Sequence, residues 1–139
     1  MRRKGAQEAM EDAGIRFEDK LYGLSNYDFE SAYHAMNGLL ARRAEFTALF
    51  AMSDVIAFGA IRALVSAGLR VPEDVSVIGF DGITMSRYCV PVMTTIVQPS
   101  EQIALQSIEL LVRQIEHGTP AQTVTLQPEL QQGESVRAI

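Results

Sequence analysis

The run Val71-Pro72-Glu73-Asp74-Val75-Ser76-Val77-Ile78-Gly79-Phe80-Asp81 passes from a helix stop, through a strand, to a carboxylate. Pro72 pushes the backbone before it away from helix, and Val75, Val77 and Ile78 form a short β-branched run. Gly79 lets the backbone turn or approach a ligand closely. Asp81 then projects at the carboxyl end of the strand. In open parallel α/β sheets small ligands bind outside that end, so Asp81 stands where a polar ligand would be held.

Working outward, strands and helices alternate. Residues 3–13 read as an amphipathic helix stopped by Gly14. Residues 21–24 have strand character. Phe29, Tyr33, Met36, Leu39 and Leu40 recur at helical spacing, which predicts a helix over 29–43 with a buried Phe29/Tyr33/Met36/Leu40 stripe. The apolar run 46–52 has strand length. Ser53 and Asp54 are natural N-cap residues, with Asp54 the simpler choice, and Ile56, Ala57, Ala60, Ile61 and Leu64 mark the next helix up to Gly68. After the strand at 75–80, Thr94–Val97 is β-branched and Pro99 suits the first turn of a long helix carrying Ile103, Ile108, Leu111 and Ile115. That helix is expected to be buried between the sheet and a neighbouring helix. Short terminal strands are expected at 123–126 and Glu129–Gln131. The order predicts an α/β fold, a mostly parallel sheet flanked by helices.

Composition narrows the function classes. With 139 residues, 47% hydrophobic and 21% charged, the chain has the make-up of one globular domain. A net charge of −5 argues against a nucleic-acid-binding surface, which needs clustered Lys and Arg. The lone Cys89 excludes an internal disulfide and fits a reducing cytoplasm. No run approaches the ~20 apolar residues of a bilayer span, and no apolar segment follows Arg2-Arg3-Lys4, so a membrane anchor or secretory signal is not expected. His34, His117 and Cys89 are too dispersed for a metal site, and no phosphate-binding or nucleophile-elbow motif occurs; neither a metal nor a cofactor is expected.

Several segments, taken in order, resemble motifs of the effector-binding domain of the LacI/GalR family of bacterial transcription regulators. They are Arg2-Arg3-Lys4-Gly5, Ala13-Gly14-Ile15, Tyr27 with Glu30-Ser31-Ala32-Tyr33 and Ala35-Met36, and the strand 48–54 with Ala57-Phe58-Gly59-Ala60. Residues 68–81, Pro91-Val92-Met93-Thr94-Thr95-Ile96 and 132–135 complete the series. The resemblance implies a periplasmic-binding-protein-like fold, with 1–139 forming part of an effector-binding domain. That part would be chiefly the C-terminal lobe plus crossover segments, the helix-turn-helix headpiece and most of the N-terminal lobe being absent. It further implies a non-enzymatic, cytoplasmic regulator that binds a small sugar-like or nucleoside-like effector, pairs as a homodimer, and reaches operator DNA only through the headpiece.

The resemblance assigns ligand contact to Arg2, Tyr27, Ser53 and Asp81, with Asp54, Phe80, Gln98 and Ser100 ranked lower. A guanidinium such as Arg2 can chelate vicinal hydroxyls or a carboxylate; the plainer role is a solvated terminal arginine. Asp81 would accept hydrogen bonds from ligand hydroxyls or ring N–H groups, against a plain turn or capping role. Tyr27 would stack on the apolar face of a sugar, against packing as a loop aromatic. Ser53 would offer a hydroxyl. Residues 83–92 and the excess apolar surface of the 103–115 helix are candidates for subunit contact. Two rivals remain: a periplasmic-type sugar-binding protein, and an α/β enzyme or phosphoacceptor domain built on Asp54.

Overall fold

The computed structural model describes residues 2–138. Helix α1 (Arg2–Asp12) and a 3-10 turn (Asp19–Leu21) lead to α2 (Phe29–Ala41), β1 (Ala48–Phe50), α3 (Asp54–Ser66) and β2 (Ser76–Asp81). A second 3-10 turn (Thr84–Arg87), β3 (Thr94–Val97), α4 (Ser100–His117) and β4 (Glu129–Gln131) follow. The strands form one sheet in the order β1-β2-β3-β4. The first three are parallel and β4 runs antiparallel to β3.

Local chemistry sets these boundaries. The Asp28 carboxylate accepts the Ser31 N–H at 2.8 Å and its hydroxyl at 2.7 Å, which starts α2 and holds the Asp28 pKa below the usual carboxylate value. Gly68 closes α3 with φ 81°: its N–H bonds Val65 O, and the Leu69 N–H reaches back to Leu64 O. That paired pattern requires a left-handed residue, which glycine adopts without a Cβ penalty.

The core lies where α2 and α3 pack together and α3 covers β2, with Met36, Leu64, Val77 and Met93 fully enclosed. The terminal segment locks onto the same layer. Buried Ser135 donates its hydroxyl to Val77 O at 2.6 Å and accepts the Thr94 N–H at 2.8 Å.

Five expectations are corrected. Residues 21–24 form no strand, because the 3-10 turn takes up Leu21 and the extended backbone after it has no ladder partner. Residues 123–126 are likewise outside any ladder. The strand expected at 46–52 pairs only over Ala48–Phe50. Phe29 is 56% exposed and stacks on Phe58 at 6.1 Å instead of entering the core. Helix α4 buries no residue, since no strand or helix makes more than slight contact along it.

Candidate ligand-binding site

Parallel strands align their carboxyl ends on one side of the sheet, and there the candidate residues gather. Asp81 ends β2. Arg2, in the first turn of α1, reaches across: Nη2 donates to Asp81 Oδ1 at 2.9 Å and Nη1 to the carbonyl of Met52, just past β1. Gln98, just past β3, donates Nε2 to the same Asp81 Oδ1 at 2.7 Å, while its N–H bonds the Asp81 carbonyl at 3.2 Å. The Arg2 guanidinium lies 4.0 Å above the centre of the Phe80 ring. The ends of three strands and one helix are thereby tied at a single carboxylate.

Asp81 has φ 117°, a region L residues rarely adopt. Strain of about 1–3 kcal/mol at a non-glycine residue persists only where surrounding contacts over-determine it, and it clusters at ligand sites. Both side chains of the pair keep about a quarter of their surface open, 29% for Arg2 and 26% for Asp81. In that partly wet setting the ion pair adds roughly 1 kcal/mol or less, so its geometry matters more than its contribution to stability. Asp81 Oδ1 is doubly engaged, whereas Oδ2 accepts from no donor among the described residues. Asp81 lines a cavity of about 550 Å³ whose walls also include Gly82, Ile83, Thr84, Gln98 and Ser100.

Ser53 and Asp54 are turned elsewhere. Ser53 is the N-cap of α3, its Oγ accepting the Val55 N–H at 3.2 Å, so the cap falls one residue before the expected Asp54. Asp54 is wholly buried: Oδ2 accepts the Ile83 N–H at 2.9 Å and Oδ1 the Thr95 hydroxyl at 2.5 Å. A Cβ at position 79 would overlap the Asp54 carboxylate, so only glycine leaves room for it. Asp54 thus fixes the loop after Asp81 rather than lining the cavity. Tyr27, with φ 58° and an exposed ring, lines a different cavity beneath α1.

Sequence reasoning missed the Gly82-Ile83-Thr84 wall, having placed Ile83 and its neighbours at a subunit contact, and it missed the Met52 carbonyl. The only available signal was position directly after strand ends. Pro99 precedes α4 as its N-cap instead of sitting within the first turn. Cys89 is half-buried with its thiol directed at the Pro91 carbonyl, 3.1 Å away; burial pushes its pKa up and keeps it protonated. Among the described residues no group of three or more His, Cys, Asp or Glu gathers as a metal site. No helix there is long and apolar enough to cross a membrane.

Comparison with known proteins matches residues 1–136 to the periplasmic binding protein-like domain. The chain is 39% identical over 131 residues to the HTH-type transcriptional regulator MalR of Clostridium butyricum, spanning 94% of this chain and 39% of that protein. It is 38% identical over 136 residues to the HTH-type transcriptional repressor PurR of Serratia proteamaculans, spanning 97% and 40%. A solved complex of the transcriptional regulator CelR with cellobiose superposes with a TM-score of 0.92 at 35% identity, over 96% of this chain and 41% of that one. The chain therefore spans about two fifths of the length of these relatives. They are regulators, not enzymes, and the non-enzymatic reading rests on them. The chain belongs to the periplasmic binding protein-like domain family, and its relatives include LacI-type transcriptional regulators.

Proposed function

We propose that residues 1–139 are the effector-sensing part of a cytoplasmic LacI/GalR-type regulator, a partial effector-binding domain made chiefly of the C-terminal lobe. The observation that carries this is the Arg2–Asp81–Gln98 cluster at the carboxyl ends of the strands. Asp81 Oδ2 offers an acceptor for a ligand hydroxyl or ring N–H, and the Arg2 guanidinium supplies donors beside it. A polyhydroxylated or nucleoside-like molecule fits that paired donor and acceptor chemistry. The CelR complex with cellobiose gives the sugar class added weight.

The same position in the fold explains regulation. A ligand held between Asp81 and a facing lobe favours one lobe arrangement by the difference in its affinity for the two, and linkage passes that preference to the operator-binding headpiece. The exposed apolar face of α4, including Ile108 and Ile115, is offered for contact with a subunit or lobe of a homodimer. DNA contact belongs to the headpiece, since a net charge of −5 argues against a phosphate-binding surface on this chain. The regulator relatives speak against the periplasmic-type rival, and the enclosure of Asp54 speaks against a phosphoacceptor.

The test is a thermal-shift screen of the chain, and of a longer polypeptide containing it, against cellobiose, other sugars and nucleosides. Binding to the folded state raises the melting temperature by mass action. A rise that Asp81→Ala abolishes is the expected result. A rise that Asp81→Ala leaves intact would move the site elsewhere.

A further inference from the structure

The loop after β2 is fixed peptide by peptide. The Asp81 carbonyl accepts the Gln98 N–H at 3.2 Å, which sets the first peptide group. Gly82, with φ 74°, then rests against Val97: a Cβ there would stand 2.7 Å from Val97 Cγ2 and 2.8 Å from its Cα, an approach only glycine permits. The next peptide group is set from the interior, where the wholly buried Asp54 accepts the Ile83 N–H at 2.9 Å. Thr95 holds that carboxylate in turn, donating its hydroxyl to Oδ1 at 2.5 Å.

A trans peptide points its C=O opposite to its N–H. With the Ile83 N–H turned inward to Asp54, the Gly82 carbonyl is turned outward, on a stretch of chain that lines the cavity of about 550 Å³. It accepts from no donor among the described residues. Its neighbour Asp81 lines the same cavity and keeps Oδ2 without a donor. A carbonyl stripped of water and left without a donor is costly, so a ligand closing on this wall has to bring one. Two acceptors on adjacent residues call for two adjacent donors.

We propose that the Gly82 carbonyl is a second acceptor of the ligand site and that Asp54 is the positioning residue that aims it. The ligand it selects is a neutral molecule with adjacent donors, vicinal hydroxyls or a hydroxyl beside a ring N–H, one placed on Asp81 and one on Gly82. An ionised phosphate or carboxylate group offers acceptors only and finds no partner at this wall. The proposal rests on the reading of Asp81 as a ligand contact.

The test follows the ¹³C resonances of the Gly82 carbonyl and the Asp81 carboxylate by NMR as cellobiose, ribose and adenosine are titrated into the chain, and into a longer polypeptide containing it. Both resonances are expected to move saturably with one midpoint. Asp54→Ala should abolish the Gly82 response while keeping that of Asp81, speed exchange of the Ile83 amide, and weaken binding by roughly three- to tenfold. Asp54→Asn, whose side-chain oxygen can still accept the Ile83 N–H, should restore most of the response. Ser135→Ala, which removes a buried hydroxyl from Val77 O away from this loop, controls for lost stability and should leave both responses in place. An Asp81 response without one at Gly82 would overturn the inference and leave the Asp81 reading standing. A Gly82 response that survives Asp54→Ala would overturn the positioning role. Silence at both resonances with all the probes would overturn the Asp81 reading, and the inference with it.

Discussion

Helices α3 and α4 both carry an apolar stripe, yet their fates are opposite. Six of the thirteen residues of α3 are buried and none of the eighteen of α4. Small residues explain α3: at Gly59 a Cβ would stand 2.5 Å from the Phe29 carbonyl of α2, so its absence lets the two helices meet at close range. Ala57, Ala60, Ala63 and Leu64 then close the layer against α2 and β2. α4 instead holds Leu105, Ile108, Leu111 and Ile115 out to solvent. An apolar stripe marks the face that seeks cover, and whether cover comes from the same fold is a tertiary matter.

The comparison can be broken most forcefully at the two stripes. Leu64→Ala is expected to cost about 2–5 kcal/mol in urea unfolding, whereas Ile108→Ala should change stability by about 0.5 kcal/mol or less. Equal losses would mean that α4 is covered after all. Next comes Asp54→Ala, which strips buried partners from the Ile83 N–H and the Thr95 hydroxyl. A loss of about 1–3 kcal/mol is expected in the same assay, and a smaller one for Asp54→Asn, which keeps an acceptor. Ser53→Ala should then cost about 1 kcal/mol as α3 loses its cap. Pro99→Ala should cost less by thermal unfolding, because α4 has no side-chain cap to lose.

The smallest effect concerns pH. The Arg70 side chain and N–H beside Asp74 lower its pKa to about 2 from the usual value near 4. A carboxylate depressed in the folded state contributes stability above its unfolded pKa and loses it as pH falls through the folded one. That contribution should therefore fade between about pH 4 and pH 2. Asp74→Asn should flatten the corresponding slope of melting temperature against pH.

How far the fold was legible varies by element for physical reasons. Residues 75–81 announced β2 because β-branched side chains fit a strand with a buried face, and the Gly14 and Gly68 helix stops were local signals; the Asp28 cap went unread. Residues 21–24 and 123–126 have strand-like sequences but no neighbour to pair with, and composition does not report a neighbour. At the candidate site, Arg2, Phe80, Asp81 and Gln98 come together; strand-end position had singled out Asp81, and the family resemblance the other three. Ser53 and Asp54 do not join them, because capping and a buried hydroxyl partner compete for the same oxygens. Tyr27 lines the slot beneath α1, a position that depends on how the 21–27 segment crosses the sheet edge.

The most direct measurement is an NMR titration of the chain, and of Asp81→Asn, with cellobiose and with the best nucleoside from the screen, following backbone amides. The account predicts shifts confined to Phe80, Gly82, Ile83 and Gln98, and their loss in Asp81→Asn. Saturable shifts centred on α4 or on the slot beneath α1, unchanged by Asp81→Asn, would contradict it.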